Sequence, residues 1–187
     1  LGLGDSYLYG QGVRFPDICF SRQAGLLADL VQPKRIELIN TAVNASNTEL
    51  QRDLLQAQGL NYDPDLVVVH FVLNDVEQME TLFQPGPKVE FGVEYVATYD
   101  RPDWLSQYCY SWSWARQRWL RSVQSRLYIQ DCLGSFDVDS SKWRNCRNAL
   151  NDIRLTCDER NIGLLVVIFP FFHELNGDYP FQPIHDV

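Results

Sequence analysis

Three apolar segments along the chain predict buried strands of one sheet. They are residues 35–40 (RIELIN), 65–73 (DLVVVHFVL) and 163–172 (GLLVVIFPFF), each rich in Val, Ile, Leu or Phe with little polar alternation. Continuous apolar strands are typical of a parallel sheet that is covered on both faces. The opening residues 1–4 (LGLG) are consistent with the end of a fourth strand.

Helical periodicity separates these strands. Segments 21–31 and 46–58 are predicted helices that each carry leucines on one face. The second begins with the Ser-x-x-Glu spacing of a capping box. Segment 142–161 carries apolar residues at steps of three and four and leads directly into the last apolar strand. Because strand and helix alternate, the sequence predicts an α/β fold with a mostly parallel sheet.

Residues 84–141 interrupt this alternation. They begin with a turn-rich, aromatic stretch and continue with a helical stretch that carries Trp, Tyr and Leu. We interpret 84–141 as an aromatic-rich insertion, packed over one end of the sheet, within a single domain that spans 1–187. The first strand is shorter than the usual length of about five residues, and the chain stops where a helix begins. We therefore expect the C-terminal part of the domain to be missing.

Composition narrows the function classes. The chain has 187 residues and a formal net charge of −8. This charge argues against a general nucleic-acid or anionic-membrane binder, because both need an excess of Lys and Arg. No apolar stretch approaches the length of about 18 residues that a transmembrane helix needs, so we expect no transmembrane segment.

Cysteine usage predicts neither a zinc site nor a dense disulfide framework. The five cysteines form no C-x-x-C pair, and they are Cys19, Cys109, Cys132, Cys146 and Cys157. A single disulfide between Cys132 and Cys146 is the alternative to buried, reduced thiols, which we favour. We expect no metal and no organic cofactor.

Polar residues that follow the predicted strands are candidates for chemistry, because functional groups of a parallel sheet gather where strands end and helices begin. Ser6 follows the first strand and precedes Gly10 and Gly12. Its hydroxyl suits a nucleophile that has backbone N–H groups nearby, and the alternative is a simple turn cap.

Asn74 follows the longest predicted strand before the insertion. Its amide can donate to an oxyanion, and the alternative is an Asx-turn or helix cap. Asp75 is interpreted as the cap of the next helix. Ala45 lies just before the SNTE helix start, so its backbone N–H is another candidate donor.

Together these loops resemble the sequence blocks of the GDSL-type, or SGNH, hydrolases. Residues 4–13 (GDSYLYGQGV), 40–54 (NTAVNASNTELQRDL) and 70–75 (HFVLND) are similar to the first, second and third blocks, in the family's order. The resemblance spans most of 1–172 apart from the insertion. It implies a three-layer α/β/α sandwich with about five parallel strands in the flavodoxin-like order 2-1-3-4-5.

The resemblance also implies the roles of the site residues. Ser6 would be the nucleophile, and the oxyanion donors would be the N–H groups of Ser6 and Ala45 and the side chain of Asn74. Ala42, Ala45 and Val72 stand where the family's blocks have glycine. A positive φ at position 45 would cost alanine about 1 kcal/mol.

The chain lacks the Asp-x-x-His motif that supplies the general base in this family. The chain has three histidines. His70 lies inside a predicted strand and is expected to be a hydrogen-bonded core residue. Our first expectation is that the Asp and His lie beyond Val187; the second is that His185, or less readily His173, serves instead; the third is a protein that only binds.

The resemblance therefore implies a serine-dependent ester hydrolase that acts through an acyl-enzyme on Ser6. Its substrate would be a small-molecule or carbohydrate ester, with no nucleic-acid partner. The alternatives are an O-acyltransferase that uses a sugar hydroxyl, and a catalytically silent pseudo-hydrolase that binds glycan or protein through its aromatic insertion.

Overall fold

The computed structural model describes residues 1–30, 36–77, 104–171 and 179–185. Within them the fold is mixed α/β around a three-stranded parallel sheet. Its strands are β1 (Gly2–Gly4), β2 (Leu66–Val72) and β3 (Gly163–Phe169), in that spatial order. The α/β class and the parallel sheet predicted from the sequence are thus confirmed.

Helices connect and flank the strands. The α-helices of the described residues are α1 (Ser6–Tyr9), α2 (Cys19–Leu30), α3 (Thr48–Ala57), α4 (Trp104–Tyr108), α5 (Tyr110–Ser135), α6 (Ser141–Glu159) and α7 (Gln182–His185). Short 3-10 turns lie at Phe15–Asp17, Gly59–Tyr62 and Leu73–Val76. None of the helices in the described ranges is long and apolar enough to span a bilayer.

Strand register brings the carboxyl ends of the strands to one edge. Gly4 pairs with His70, and Val72 pairs with Phe169. The residues that follow β1 and β2 therefore emerge at the same end of the sheet, which we call the carboxyl end. The strand starts, including Leu1 and Leu66, form the opposite, amino end.

The strand predicted at 35–40 is reduced to a single parallel bridge between Asn40 and Gly2. Residues 36–39 have no regular secondary structure, and 31–35 lie outside the described residues. Hydrogen bonds nevertheless run along β1, because Gly2 N donates to Ile39 O at 2.8 Å and Val43 N donates to Gly4 O at 3.2 Å. The three-residue length of β1 limits how far this pairing can extend.

Helix α3 begins one residue later than the capping-box pattern predicts. The Ser46 hydroxyl donates instead to the carbonyl of Gly4 at 3.0 Å. The N-cap is Asn47, whose side chain accepts from Leu50 N at 2.9 Å. Ser46 is buried beside β1, so its hydroxyl satisfies a strand carbonyl, and the next residue provides the cap.

The chain divides into two compact units, Leu1–Glu77 with Ser141–Phe172 and Gln78–Ser140 with His173–Val187. The core of the first unit combines inward residues of the sheet with apolar residues of α3 and α6. Its fully buried members include Leu3, Val67, Val69, Leu55 and Ile153. This unit holds the sheet and both loops that follow β1 and β2.

Strand β3 departs from the expectation of a sheet covered on both faces. Its residues Leu165, Val166 and Ile168 are exposed. Pairing within the described residues is with β2 alone, so β3 forms an edge of this open sheet.

The second unit contains α4, α5 and α7. Its buried apolar side chains include Leu120, Phe136 and Phe181. Many aromatic side chains of α4 and α5 are exposed, namely Trp104, Tyr108, Tyr110, Trp112, Trp114 and Trp119. Residues 84–103 of the segment interpreted as an insertion lie outside the described residues.

Candidate functional site

Ser6 lies on a tight turn between β1 and α1. Asp5 is the N-cap of α1, and its Oδ1 atom accepts a hydrogen bond from Tyr7 N at 2.9 Å. Gly4 allows α1 to pack close to the sheet, because a Cβ atom there would lie 2.8 Å from Leu8 Cβ. Helix α1 ends at Tyr9 and is capped by Gly10, whose φ of +74° is left-handed. The strand, turn and short helix together hold Ser6 at the carboxyl end of the sheet.

Asn74 lies on the 3-10 turn that follows β2. Asp75 closes this turn, because its Oδ2 atom accepts from Val72 N at 3.0 Å. The side-chain NH₂ group of Asn74 faces the loop that follows β1, since Nδ2 donates to Asp5 Oδ2 at 3.4 Å. Asn74 is partly exposed, so it lies at the surface end of this contact.

Ser6 and Asn74 meet at one carboxylate oxygen. The Ser6 hydroxyl donates to Asp5 Oδ2 at 3.2 Å, the same atom that accepts from Asn74. Asp5 itself is 0% exposed, whereas Ser6 is partly exposed. The structure therefore brings two of the three predicted site residues together through a residue that the sequence analysis did not single out.

Ala45 lies in a loop that is tied to the end of β1. Val43 N and the Ser46 hydroxyl both donate to Gly4 O, and Ser46 N donates to Val43 O at 3.1 Å. Ala45 has a φ of +61°, in the left-handed region that favours glycine. The condition set by the sequence analysis is met, and alanine at this position carries a strain of about 1 kcal/mol.

A buried polar cluster lies behind Asn74. Asp75 is 1% exposed, and burial followed by the nearby charge of Asp5 raises its pKa well above the usual value of a carboxyl group. The Gln51 amide lies close enough to oppose this shift, although its atoms do not reach hydrogen-bonding geometry with any described group. Asp75 is thus a buried acid whose carboxylate closes the turn in which it lies, and residues 78–103, where a following helix is expected to begin, lie outside the described residues.

Cys146 of α6 completes this cluster. Its Sγ atom lies 3.3 Å from Thr48 Oγ1, and that hydroxyl also contacts the Asp75 carbonyl at 3.2 Å. Burial raises the pKa of the Cys146 thiol to about 12, so it is neutral and unreactive at physiological pH. All five cysteines are free, and the alternative disulfide between Cys132 and Cys146 is absent.

Two of the three histidines, His70 and His185, lie within the described residues. His70 is buried between the rings of Phe20 and Phe169, with Nε2 3.4 Å from Gln23 Oε1, and burial lowers its pKa. His70 is therefore a core residue, as the sequence suggests. His185 ends α7 with its ring 5.6 Å from that of Tyr179, and His173 lies outside the described residues.

The described residues provide one partner for the Ser6 hydroxyl, and that partner is Asp5. A carboxylate can hold the hydroxyl proton in the resting state, but its basicity is far below that of an imidazole. Within the described ranges, no group of three His, Cys, Asp or Glu side chains is arranged to hold a metal ion.

A cavity of about 800 Å³ opens at the other end of the sheet. Leu1 and Leu66 line it where β1 and β2 begin, together with apolar residues such as Phe20 and Leu27 and the acidic residue Asp65. Neither Ser6 nor Asn74 lines this cavity. Available volume and candidate chemistry therefore lie at opposite ends of the sheet.

Comparison of the chain with protein-family models, with curated proteins and with solved structures finds no match. The central observation is the convergence of Ser6 and Asn74 on Asp5 at the carboxyl end of a parallel sheet.

Proposed function

We propose that the protein is a serine ester hydrolase of the GDSL, or SGNH, type that acts through an acyl-enzyme on Ser6. The observation that carries this proposal is the shared contact of the Ser6 hydroxyl and the Asn74 amide with Asp5 Oδ2. A nucleophile and a hydrogen-bond donor at one point of the surface are two of the three groups that acyl transfer on a serine requires, and the third is a general base. No metal or organic cofactor is part of this proposal.

The three-layer, flavodoxin-like arrangement is part of the same proposal. Gly2 pairs with Val68 on one side and with Asn40 on the other, so residues 39–43 lie beside β1 opposite β2. If this segment is counted as the second strand of the chain, the spatial order becomes 2-1-3-4. This is the order expected for the first four strands of a flavodoxin-like sheet.

The proposed mechanism follows from the two loops. The Ser6 oxygen attacks the acyl carbon and forms a C–O bond, while the hydroxyl proton passes to a base and then to the departing alcohol. The Asn74 N–H and the backbone N–H groups of Ser6 and Ala45 would hold the oxyanion. Water then attacks the acyl-enzyme, releases the acid and returns the proton to Ser6.

The base in this mechanism is a histidine. The candidates are those named in the sequence analysis, and the tests use the full-length protein so that all of them are present. Its substrates would be small-molecule or carbohydrate esters, because the net charge of −8 disfavours anionic lipid surfaces.

Acylation by p-nitrophenyl acetate tests the proposal. We expect the full-length protein to gain one acetyl group, which peptide mass spectrometry places on Ser6. Ser6→Ala should lose this adduct completely, while Ser21→Ala, a change in α2 away from the site, should keep it. An equal extent of acylation in Ser6→Ala would contradict the proposal, as would a folded wild-type protein that forms no adduct.

The same experiment separates the alternatives. Added glycerol would be acetylated by an O-acyltransferase, because a hydroxyl group would replace water in the second step. A pseudo-hydrolase would leave Ser6 unmodified at all reagent concentrations that spare other serines. Free acetate as the main product favours the hydrolase.

A further inference from the structure

The orientation of the Asn74 amide depends on its neighbours. The two ends of an asparagine amide are nearly identical in shape, so hydrogen bonding decides which end faces a given group. An ionised carboxylate only accepts hydrogen bonds. Since Asp5 Oδ2 lies 3.4 Å from the Asn74 amide, the end that faces it is the NH₂ group.

Asp5 is the described hydrogen-bond partner of the Asn74 side chain. The other end of the amide, Oδ1, is buried and has no partner among the described residues. A reversed amide would set oxygen against oxygen at Asp5 and would place the NH₂ group where no acceptor is described. Asp5 therefore selects one of the two orientations.

The Asp5 carboxylate is itself held in place. Tyr7 N fixes Oδ1 at 2.9 Å, and Oδ2 receives the Ser6 hydroxyl and the Asn74 NH₂ group. The side chain is 0% exposed, so solvent cannot replace these donors. One oxygen thus links the residue before the nucleophile to the loop after β2.

We propose that Asp5 is a positioning residue that turns the NH₂ group of Asn74 toward Ser6. One N–H of that group binds Asp5 Oδ2, and the second N–H is left to donate to an oxyanion. The catalytic part of this inference rests on the proposed function, because the oxyanion arises only when Ser6 attacks an ester. The structural part concerns the Asn74 amide alone and can be tested by itself.

Asp5→Asn is the sharpest single change. Asparagine is as good an N-cap as aspartate, so its Oδ1 atom can still accept from Tyr7 N. Its NH₂ group, however, would meet the NH₂ group of Asn74. We expect acylation of Ser6 to slow about 100-fold, with little change in melting temperature. Asp53→Asn, which changes an exposed carboxylate in α3, is the matched control and should react as wild type.

The exchanged double variant, Asp5→Asn with Asn74→Asp, separates two effects. One is the orientation of the residue 74 amide toward Ser6, and the other is the mere presence of a hydrogen bond between residues 5 and 74. Residue 5 then donates to residue 74, so the contact and any lost stability should return. Acylation should stay low, because a carboxylate would face the oxyanion. Recovery of acylation in this variant would overturn the proposal.

The amide proton signals of the Asn74 side chain provide a readout that needs no activity. In ¹⁵N–¹H spectra, assigned by their loss in Asn74→Ala, we expect slow exchange with solvent in the wild type. Asp5→Asn, or Asp5→Ser if the first variant folds poorly, should shift these signals and speed their exchange. Unchanged signals would overturn the positioning role. If the wild type is not acylated but the signals respond, the proposed function fails and the positioning role stands.

Discussion

The two ends of the sheet differ in what they offer a ligand. The amino end has room, a cavity of about 800 Å³, but none of the described residues that line it is a serine, threonine, cysteine, histidine or lysine. The carboxyl end offers a hydroxyl and an amide that share one carboxylate oxygen. Under our proposal, the converging polar groups and not the larger volume mark the reactive end of the sheet.

The chain direction explains this difference. In a parallel sheet every strand delivers its following loop to the same end, so loops far apart in sequence meet there. Ser6 and Asn74 are 68 positions apart in the chain, yet both contact Asp5. The amino end receives the starts of the strands, such as Leu1 and Leu66, and the segment that leads into β2, which carries the acidic residues Asp63 and Asp65.

Removing the side-chain amide of Asn74 should slow acylation of Ser6 more than any other change that leaves Ser6 in place, and it tests whether the chemistry lies at the carboxyl end of the sheet. Asn74→Ala should slow acylation of Ser6 by about 100-fold to 1,000-fold, the usual loss of one oxyanion donor. Leu27→Ala, at the amino-end cavity, should leave the rate within about twofold, since Leu27 lies at the opposite end of the sheet from Ser6, Asn74 and the Asp5 carboxylate that links them. Rates of p-nitrophenyl acetate acylation would be measured for both variants. A loss at Leu27 as large as at Asn74 would place the chemistry at the wrong end.

The pH dependence of stability should reveal the buried acid that supports the carboxyl end. A raised pKa in the folded state means that Asp75 stabilises the fold fully below the unfolded pKa of about 4. That stability is lost as pH rises through the window between the unfolded and folded pKa values, by up to about 1.4 kcal/mol per pH unit.

Asp75→Asn mimics the protonated acid and keeps an oxygen for Val72 N. We expect this variant to gain stability relative to wild type as the pH rises above about 4, as measured by urea unfolding at a series of pH values. Asp17→Asn, at an exposed ion pair, is the control and should not reproduce this trend. A variant that instead loses stability relative to wild type at neutral pH would show that the carboxylate is charged when folded.

The smallest effect should come from the strained loop. Ala45→Gly relieves the left-handed strain of about 1 kcal/mol but adds freedom to the unfolded chain, so a net gain of up to about 0.5 kcal/mol is expected. Thermal unfolding would measure it, with Ala57→Gly at the last residue of α3 as a control that should destabilise. A destabilised Ala45→Gly variant would mean that the methyl group contributes packing that outweighs the strain.

Sequence patterns predicted the parts of the fold that depend on the burial of apolar strands and on the parallel direction of those strands. The apolar runs located β2 and β3, and the rule for parallel sheets led to Ser6 and Asn74 as residues at one end. Local hydrogen bonding was harder to predict. Ser46 was interpreted as part of a helix cap, but its hydroxyl binds Gly4 O, a partner that is distant in sequence.

The hydrogen bonds and the burial of Asp5 and Asp75 were equally hard to predict from the sequence. Each stands next to a predicted site residue, and nothing in its spacing distinguishes an exposed acid from a buried one. The burial of Asp75 depends on α6 packing against the turn that holds it and on Thr48 of α3, which contacts its carbonyl, and periodicity reports neither. A signal was nevertheless present for Asp5, because an acceptor-only side chain directly before a serine at a strand end can bind both that serine and a donor from the neighbouring loop.

The most direct test of the central claim is a crystal structure of the full-length protein after reaction with a small fluorophosphonate. Our account predicts a covalent bond between Ser6 Oγ and phosphorus, with a phosphonyl oxygen about 3 Å from Asn74 Nδ2. An adduct on another residue, or one on Ser6 whose oxygens lie away from Asn74, would contradict it.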